Sequence, residues 1–284
     1  SYGKLRLEVE LFDRWFTMPR DDGDYHMERV ISPERHRAYM QDAMDVSCGV
    51  VDYSQFDILY IVPVHGSAAP FSPTMVGKDR PLSCASGEIG LAVTFGADMY
   101  HRKGKLFAHE NGHILGLPDL YTYEVTAGAA DGFSHCGTWD LMGWIEGLAP
   151  DYMAYSKWRL GWIEDDQAAC AAEGGEFTLT PVETGEGLKL VMIPLDEYHG
   201  YAVEYRKPIG LDEALPEEGL LFYRLDGTVC GGLGCLTIIP PEEEQYLRLD
   251  RSAPDGLIRS GQTASRDGVT VTALGGGRVR VTRR

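Results

Sequence analysis

The stretch His109-Glu110-Asn111-Gly112-His113-Ile114-Leu115-Gly116-Leu117-Pro118-Asp119 decides how the rest of the chain is read. Residues four apart share one face of a helix, so His109 and His113 can offer imidazole nitrogens to a single metal ion while Glu110 flanks the remaining coordination position. Gly116 tolerates the left-handed backbone that ends a helix, and Pro118 cannot continue one. The chain is therefore expected to turn and return Asp119 as the third ligand, since a carboxylate oxygen is a normal partner for zinc. His135, in a downstream loop rich in Gly and Ala, is the alternative third ligand. By chance a chain of this length shows H-E-x-x-H roughly one time in a hundred, and the later Gly and Asp make coincidence rarer still.

Further along, Gly137-Thr138-Trp139-Asp140-Leu141-Met142-Gly143-Trp144 sets glycines on both sides of an apolar run with Met142 at its centre. Such a turn suits the methionine floor that accompanies the long signature H-E-x-x-H-x-x-G-x-x-H, in which Asp119 stands where the third histidine belongs. The run 109–121, the Met142 turn and Tyr155-Ser156-Lys157-Trp158-Arg159-Leu160-Gly161-Trp162-Ile163 together resemble the immune inhibitor A-like family of secreted bacterial zinc metallopeptidases. Ser1-Tyr2-Gly3-Lys4-Leu5, Trp15-Phe16-Thr17-Met18-Pro19, Val51-Asp52-Tyr53-Ser54 and Tyr201-Ala202-Val203-Glu204-Tyr205-Arg206 extend the likeness to both ends.

The resemblance implies a zinc endopeptidase that acts on protein or peptide substrates, is extracellular, and carries structural calcium beside its zinc. The expected fold is α+β: a metzincin-like catalytic domain of twisted mixed sheet and active-site helix over residues 1–164, then an all-β, sandwich-like accessory domain over 165–284. Relatives by resemblance carry a strand and helix before the counterpart of Ser1, so a first piece of the catalytic sheet is expected upstream. In this reading Glu110 is the general base, accepting a proton from the attacking water and returning it to the departing amine. Two other readings share these residues: a binding module that keeps zinc without catalysis, and a zinc hydrolase of non-peptide amides.

With 284 residues, 44% of them hydrophobic and 10% aromatic, the chain can bury a sizeable core. A formal net charge of -17 argues against binding nucleic acid or anionic membrane through bulk electrostatics. No apolar run is long enough to span a bilayer, and the opening residues form no leader, which suggests a processed or trimmed start. The six cysteines show no paired C-x-x-C spacing. Cys230 and Cys235 flank a four-residue loop that a disulfide could close, and free thiols are the other reading. The only asparagine, Asn111, has no glycosylation sequon.

Periodicity supplies the elements. Residues 4–11 alternate as a half-buried strand would. Asp21, Asp22 and Asp24 could ligate calcium through oxygen atoms but lack the full EF-hand spacing, and a solvated turn is the preferred reading. Ser32-Pro33 starts a helix whose buried face carries Tyr39, Met40, Ala43 and Met44. Residues 56–64 look like a central strand covered on both faces. Residues 65–81 are expected to be loop, and 88–95 a strand that is either the edge receiving an extended substrate or an ordinary internal one. Leu106, Phe107, Ile114 and Leu115 should seat the metal-bearing helix on the sheet. A helix over 150–160 carries Tyr152 and Tyr155, whose phenols either face an oxyanion or pack beside Trp158 and Trp162; neither is counted as catalytic.

The composition shift at 164–175 suggests a boundary. Short runs at 177–181, 188–194, 201–206, 220–225, 236–239 and 269–281, the last broken at Gly275-Gly276-Gly277, predict a β-sandwich. Glu242-Glu243-Glu244 is read as a solvated charge run. His26, His36, His65, His101 and His199 lack ligand spacing and are read as solvated or structural.

Overall fold

Ser32 accepts a hydrogen bond from the Arg35 amide at its side-chain oxygen, and Pro33 fills the next position, so the first helix begins where its cap predicts. In the computed structural model, which describes residues 1–27, 31–67, 71–123, 135–229, 231–242 and 253–284, this helix is α1, Pro33–Ser47. Met40 and Met44 of the expected apolar face are buried, whereas Tyr39 and Ala43 are half-buried. The architecture is mixed α+β, and the chain divides into two compact units: Leu7–Leu117, and Ser1–Arg6 with Pro118–Arg284.

The unit Leu7–Leu117 is built on a three-stranded sheet of β1 (Ile58–Ile61), β2 (Thr74–Val76) and β5 (Leu91–Thr94) in the order β1-β5-β2. β1 runs parallel and β2 antiparallel to the central β5. The segment 56–64 is thus not a central strand covered on both faces. Only four of its residues pair, on one side, and all are half-buried; Pro63 cannot donate to a ladder and lies just beyond the strand's end. The apolar run 88–95 is also interrupted, because Gly90 separates β5 from β4 (Gly87–Ile89), which folds back on β3 (Leu82–Cys84). β5 is internal, so it is not an edge strand, and the antiparallel edge is β2, inside a segment expected to be loop.

Residues 4–11 form no strand: Leu7, Val9 and Leu11 stay exposed, as does Trp15. Alternation prepares a face for burial, but a strand forms only where a neighbour takes up its hydrogen bonds. The core of this unit gathers Met40, Met44, Val51, Tyr53, Leu82, Ile89 and Ala92, and a disulfide joins Cys48 after α1 to Cys84 on β3. The helix α2, Met99–Ile114, is interrupted at Lys103, whose φ of 50° departs from helical geometry, and then continues through His109, Glu110 and His113. Of its expected sheet-facing residues Leu106 is fully buried; Phe107, Ile114 and Leu115 are half-buried.

The other unit is mostly sheet. β6 (Ala168–Cys170), β8 (Leu190–Pro194), β9 (His199–Arg206), β10 (Gly219–Asp226) and β11 (Leu236–Ile238) lie in the order β11-β10-β9-β8-β6. β7 (Gly175–Thr178), β12 (Thr263–Arg266), β13 (Val269–Gly275) and β14 (Arg278–Arg283) form a second sheet, β12-β13-β14-β7. Val191, Val203 and Phe222 of the first sheet share one core with Val271, Val279 and Val281 of the second, as two packed sheets require. The glycine break at 275–277 is the β13–β14 turn, where a Cβ on Gly277 would lie 2.1 Å from the Leu179 carbonyl oxygen. β6 and β12 carried no sequence signal, and β6 lies within the stretch expected to be a boundary.

The division between units falls at Leu117 and Pro118, and does not coincide with the expected boundary at 164/165. Residues 118–163 are bonded to the strands that follow: Arg206 on β9 donates to the carbonyl oxygens of Trp139 and Asp151, and the Trp139 indole donates to the Asp255 carbonyl. The helix α3 spans only Ala154–Arg159, and ahead of it the amides of Asp151 and Met153 are taken by the carboxylates of Asp212 and Asp140. Among the described residues no helix is long and apolar enough to cross a membrane. Cys230, Glu243, Glu244 and most of the loop 121–137 lie outside the described residues, and with them the Cys230–Cys235 pairing.

Candidate metal centre

α2 presents His109 and His113 one turn apart, their ring centroids 4.9 Å from each other. Gly116, at φ 93°, carries the chain out of the helix, and the Leu117 amide closes back on the Gly112 carbonyl. The Leu117 carbonyl then lies 2.9 Å from His113 Nδ1. A carbonyl only accepts, so Nδ1 carries the proton and Nε2 of the neutral ring is left with the lone pair a metal requires.

Two residues past that turn the chain supplies Asp119, 8% exposed. Ligand atoms of His109, His113 and Asp119 all lie within 4.8 Å of one another, a largely buried group able to hold a metal ion. It is the one group of three such donors among the described residues, so neither His135 nor the trio Asp21, Asp22 and Asp24 belongs to a comparable cluster.

Asp119 is held from its own side. The Tyr123 hydroxyl donates to Asp119 Oδ2 at 2.5 Å, and the Gly232 amide donates to its main-chain carbonyl at 3.0 Å. Burial, reinforced by this hydrogen bond to Asp119, raises the Tyr123 phenol well above its ordinary value, so it remains a donor at neutral pH. A Cβ on Gly232, whose φ is 76°, would meet the Tyr123 ring at 2.4 Å, which makes glycine a requirement there. Sequence reading missed both residues. Tyr123 could have been found as a hydroxyl four residues beyond Asp119 in the same loop, and Gly232 carried no signal.

Met142 is buried in the turn expected for it, and its carbonyl accepts from the amide of Leu120, the residue after Asp119. The turn is tied by Asp140, which accepts from the Met142 amide through Oδ1 and from the Met153 amide through Oδ2. Burial pushes the Asp140 carboxyl up to about 7 against the opposing pull of those two amides. Behind it, fully buried Arg206 binds Glu204, Asp212 and the Trp139 carbonyl, and Glu204 also accepts from the Ala154 amide and the Tyr223 hydroxyl. Tyr152 and Tyr155 belong to this packing: Tyr152 stacks on Trp162 and Tyr155 tilts against Trp158.

Glu110 is buried on α2 beside His109, and its Oε2 accepts from the Thr74 hydroxyl on β2 at 2.6 Å. The next residue is fixed in the same way, Asn111 Oδ1 accepting from the Tyr60 hydroxyl on β1 at 2.6 Å. His36 is buried and shares a hydrogen bond with Thr94, and His199 pairs with Asp196; both are structural. No protein-family model matches this chain, and no curated protein or solved structure matches it either.

Proposed function

We propose that this chain is a zinc-dependent endopeptidase with a metzincin-like site, secreted and bacterial, similar to the immune inhibitor A-like peptidases. One observation carries the reading: two imidazoles and a carboxylate gather within 4.8 Å while a fourth side chain, the carboxylate of Glu110, sits in the same helical turn and is not one of the three. Three nitrogen and oxygen donors with a position left open are the ligand set of catalytic zinc, whereas a structural site closes with four. Bound there, zinc supplies a Lewis acid that acidifies a water and polarises a carbonyl.

Glu110 takes the proton of the attacking water on its carboxylate and passes it to the amine that leaves. The floor assigned to Met142 is supported by its burial and by its backbone bond to the residue after Asp119. A peptide substrate is supported by β2, an antiparallel strand with no further strand on its outer side among the described residues, where an extended chain can add through backbone hydrogen bonds. Secretion is supported by the Cys48–Cys84 disulfide, which persists in oxidising compartments.

The test is metal content by mass spectrometry together with casein hydrolysis, for the wild type and for Glu110→Gln. One zinc per chain is expected in both, with hydrolysis in the variant lowered ~1000-fold or more, the scale of losing an essential general base together with its electrostatic contribution. Zinc in both proteins without hydrolysis by the wild type favours a binding module, and cleavage of small amides alone favours a non-peptide hydrolase. Absence of zinc overturns the site.

A further inference from the structure

The base assigned to this reaction does not stand by itself: it is gripped from a strand 36 residues earlier in the chain. We infer that Thr74 is a positioning residue for Glu110, fixing the carboxylate through its Oε2 so that the base is oriented before substrate arrives; the inference rests on the proposed hydrolase reading of the site.

The geometry is rigid at both ends of the contact. Thr74 opens β2 and is paired with Val93 of the central strand, while the preceding Pro73 carbonyl accepts from the Thr94 amide at 3.0 Å. A β-branched side chain on a strand has few χ1 choices, so its hydroxyl direction follows from the backbone. Two residues earlier, ahead of β2, Ser72 donates to Asp98 Oδ1 at 2.7 Å and accepts from the Gly96 amide at 2.9 Å, which ties the segment leading into β2 to the N-cap position of α2. The segment 72–74 thus reaches the start of α2 through Ser72 and its ligand-bearing end through Thr74. Tyr60 on β1 bonds Asn111 from the other side of the sheet. The two outer strands therefore hold adjacent residues of the helix, Asn111 from β1 and Glu110 from β2.

A carboxylate can only accept, so Thr74 is the donor, and a hydrogen bond to a charged group restrains one oxygen strongly. Removing it leaves the carboxylate chemically intact but with that restraint on Oε2 lost, and a reacting group held less firmly loses rate without losing ground-state affinity. Thr74→Val keeps the β-branched shape and removes the donor. Thr74→Ser keeps the donor.

The experiment uses the zinc-loaded full chain and reads two quantities for Thr74→Val, Thr74→Ser, Glu110→Gln and the Thr74→Val/Glu110→Gln double variant. The first is peptide hydrolysis, resolved into kcat and KM. The second is calorimetric affinity for acetohydroxamate, a zinc-binding probe whose acidic hydroxyl shares a proton with a neighbouring carboxylate. Thr74→Val is expected to lower kcat and hydroxamate affinity ~10-fold or more with KM nearly unchanged, and Thr74→Ser to restore both.

In the Glu110→Gln background the valine should add nothing further to either loss, because it acts through the group already removed. Equal losses in both backgrounds, or failure of serine to restore them, would make Thr74 a packing residue and overturn the inference. A wild type that binds zinc and hydroxamate yet cleaves no peptide overturns the peptidase reading alone, since the hydroxamate series still decides Thr74. A wild type that takes up no zinc overturns both.

Discussion

At the residue scale, the side chains with the most concentrated chemistry are those whose charges are buried. Arg206 and its partners Glu204 and Asp212 have no exposed surface, and Arg206 also holds two main-chain carbonyls. Replacing Arg206 by Met strands two carboxylates in the interior, so it is expected to cost about 3–5 kcal/mol in a urea titration of the zinc-free protein. Arg206→Lys should recover part of that loss, since an ammonium keeps the charge but cannot reproduce the fork. A variant as stable as the wild type would show the network to be dispensable. The donor group His109, His113 and Asp119 was legible in the sequence because its members are neighbours along the chain and helical spacing alone brings the histidines together. Thr74 and Tyr60 were not legible, because Glu110 and Asn111 lie 36 and 51 residues further along the chain. A Glu and an Arg two apart on an otherwise apolar strand, as at 204 and 206, is a sequence signal for a buried pair that an alternation reading passes over.

At the element scale, α1 is fastened to the central strand by His36, whose Nε2 lies 2.9 Å from Thr94 Oγ1. Burial lowers this imidazole from 6.5 to about 4. In the unfolded chain the ring gains its proton near 6.5, while the folded ring resists until about 4. The stabilisation from keeping it neutral is therefore complete above pH 6.5 and is lost as the pH falls from 6.5 towards 4, amounting to roughly 3 kcal/mol. Urea midpoints of the zinc-free protein measured across that window should fall with pH in the wild type and fall less in His36→Gln. Parallel curves would remove His36 as the cause. Elements with their own punctuation, such as α1 with its Ser32 cap and the β13–β14 turn with its three glycines, were readable from local sequence. The strand expected at 4–11 and the centrality given to 56–64 were misread because pairing is decided by which strand arrives alongside, and alternation or apolar content does not say.

At the scale of the whole molecule, two cores of different construction stand in one chain. The unit Leu7–Leu117 has a small core around Met40, Met44 and Tyr53 and is closed by the Cys48–Cys84 disulfide, whereas the unit with the two packed sheets has the broad aliphatic core. A crosslink over 36 residues is worth about 3–4 kcal/mol through the unfolded chain. Cys48→Ser with Cys84→Ser should therefore lower the calorimetric transition of Leu7–Leu117 while leaving that of the unit with the two packed sheets in place. A single transition that shifts as a whole would show that the two cores melt together. The tryptophans divide along the same line. Trp139, Trp144, Trp158 and Trp162 all belong to the sheet unit, with Trp139 wholly enclosed, while Trp15 is the sole indole of Leu7–Leu117 and is 69% exposed. The protein thus carries its own pair of optical labels: Trp15 emits as a water-exposed fluorophore open to acrylamide, and enclosed Trp139 emits further to the blue and is shielded from the quencher, so quenching reads one indole from each half of the chain without any dye.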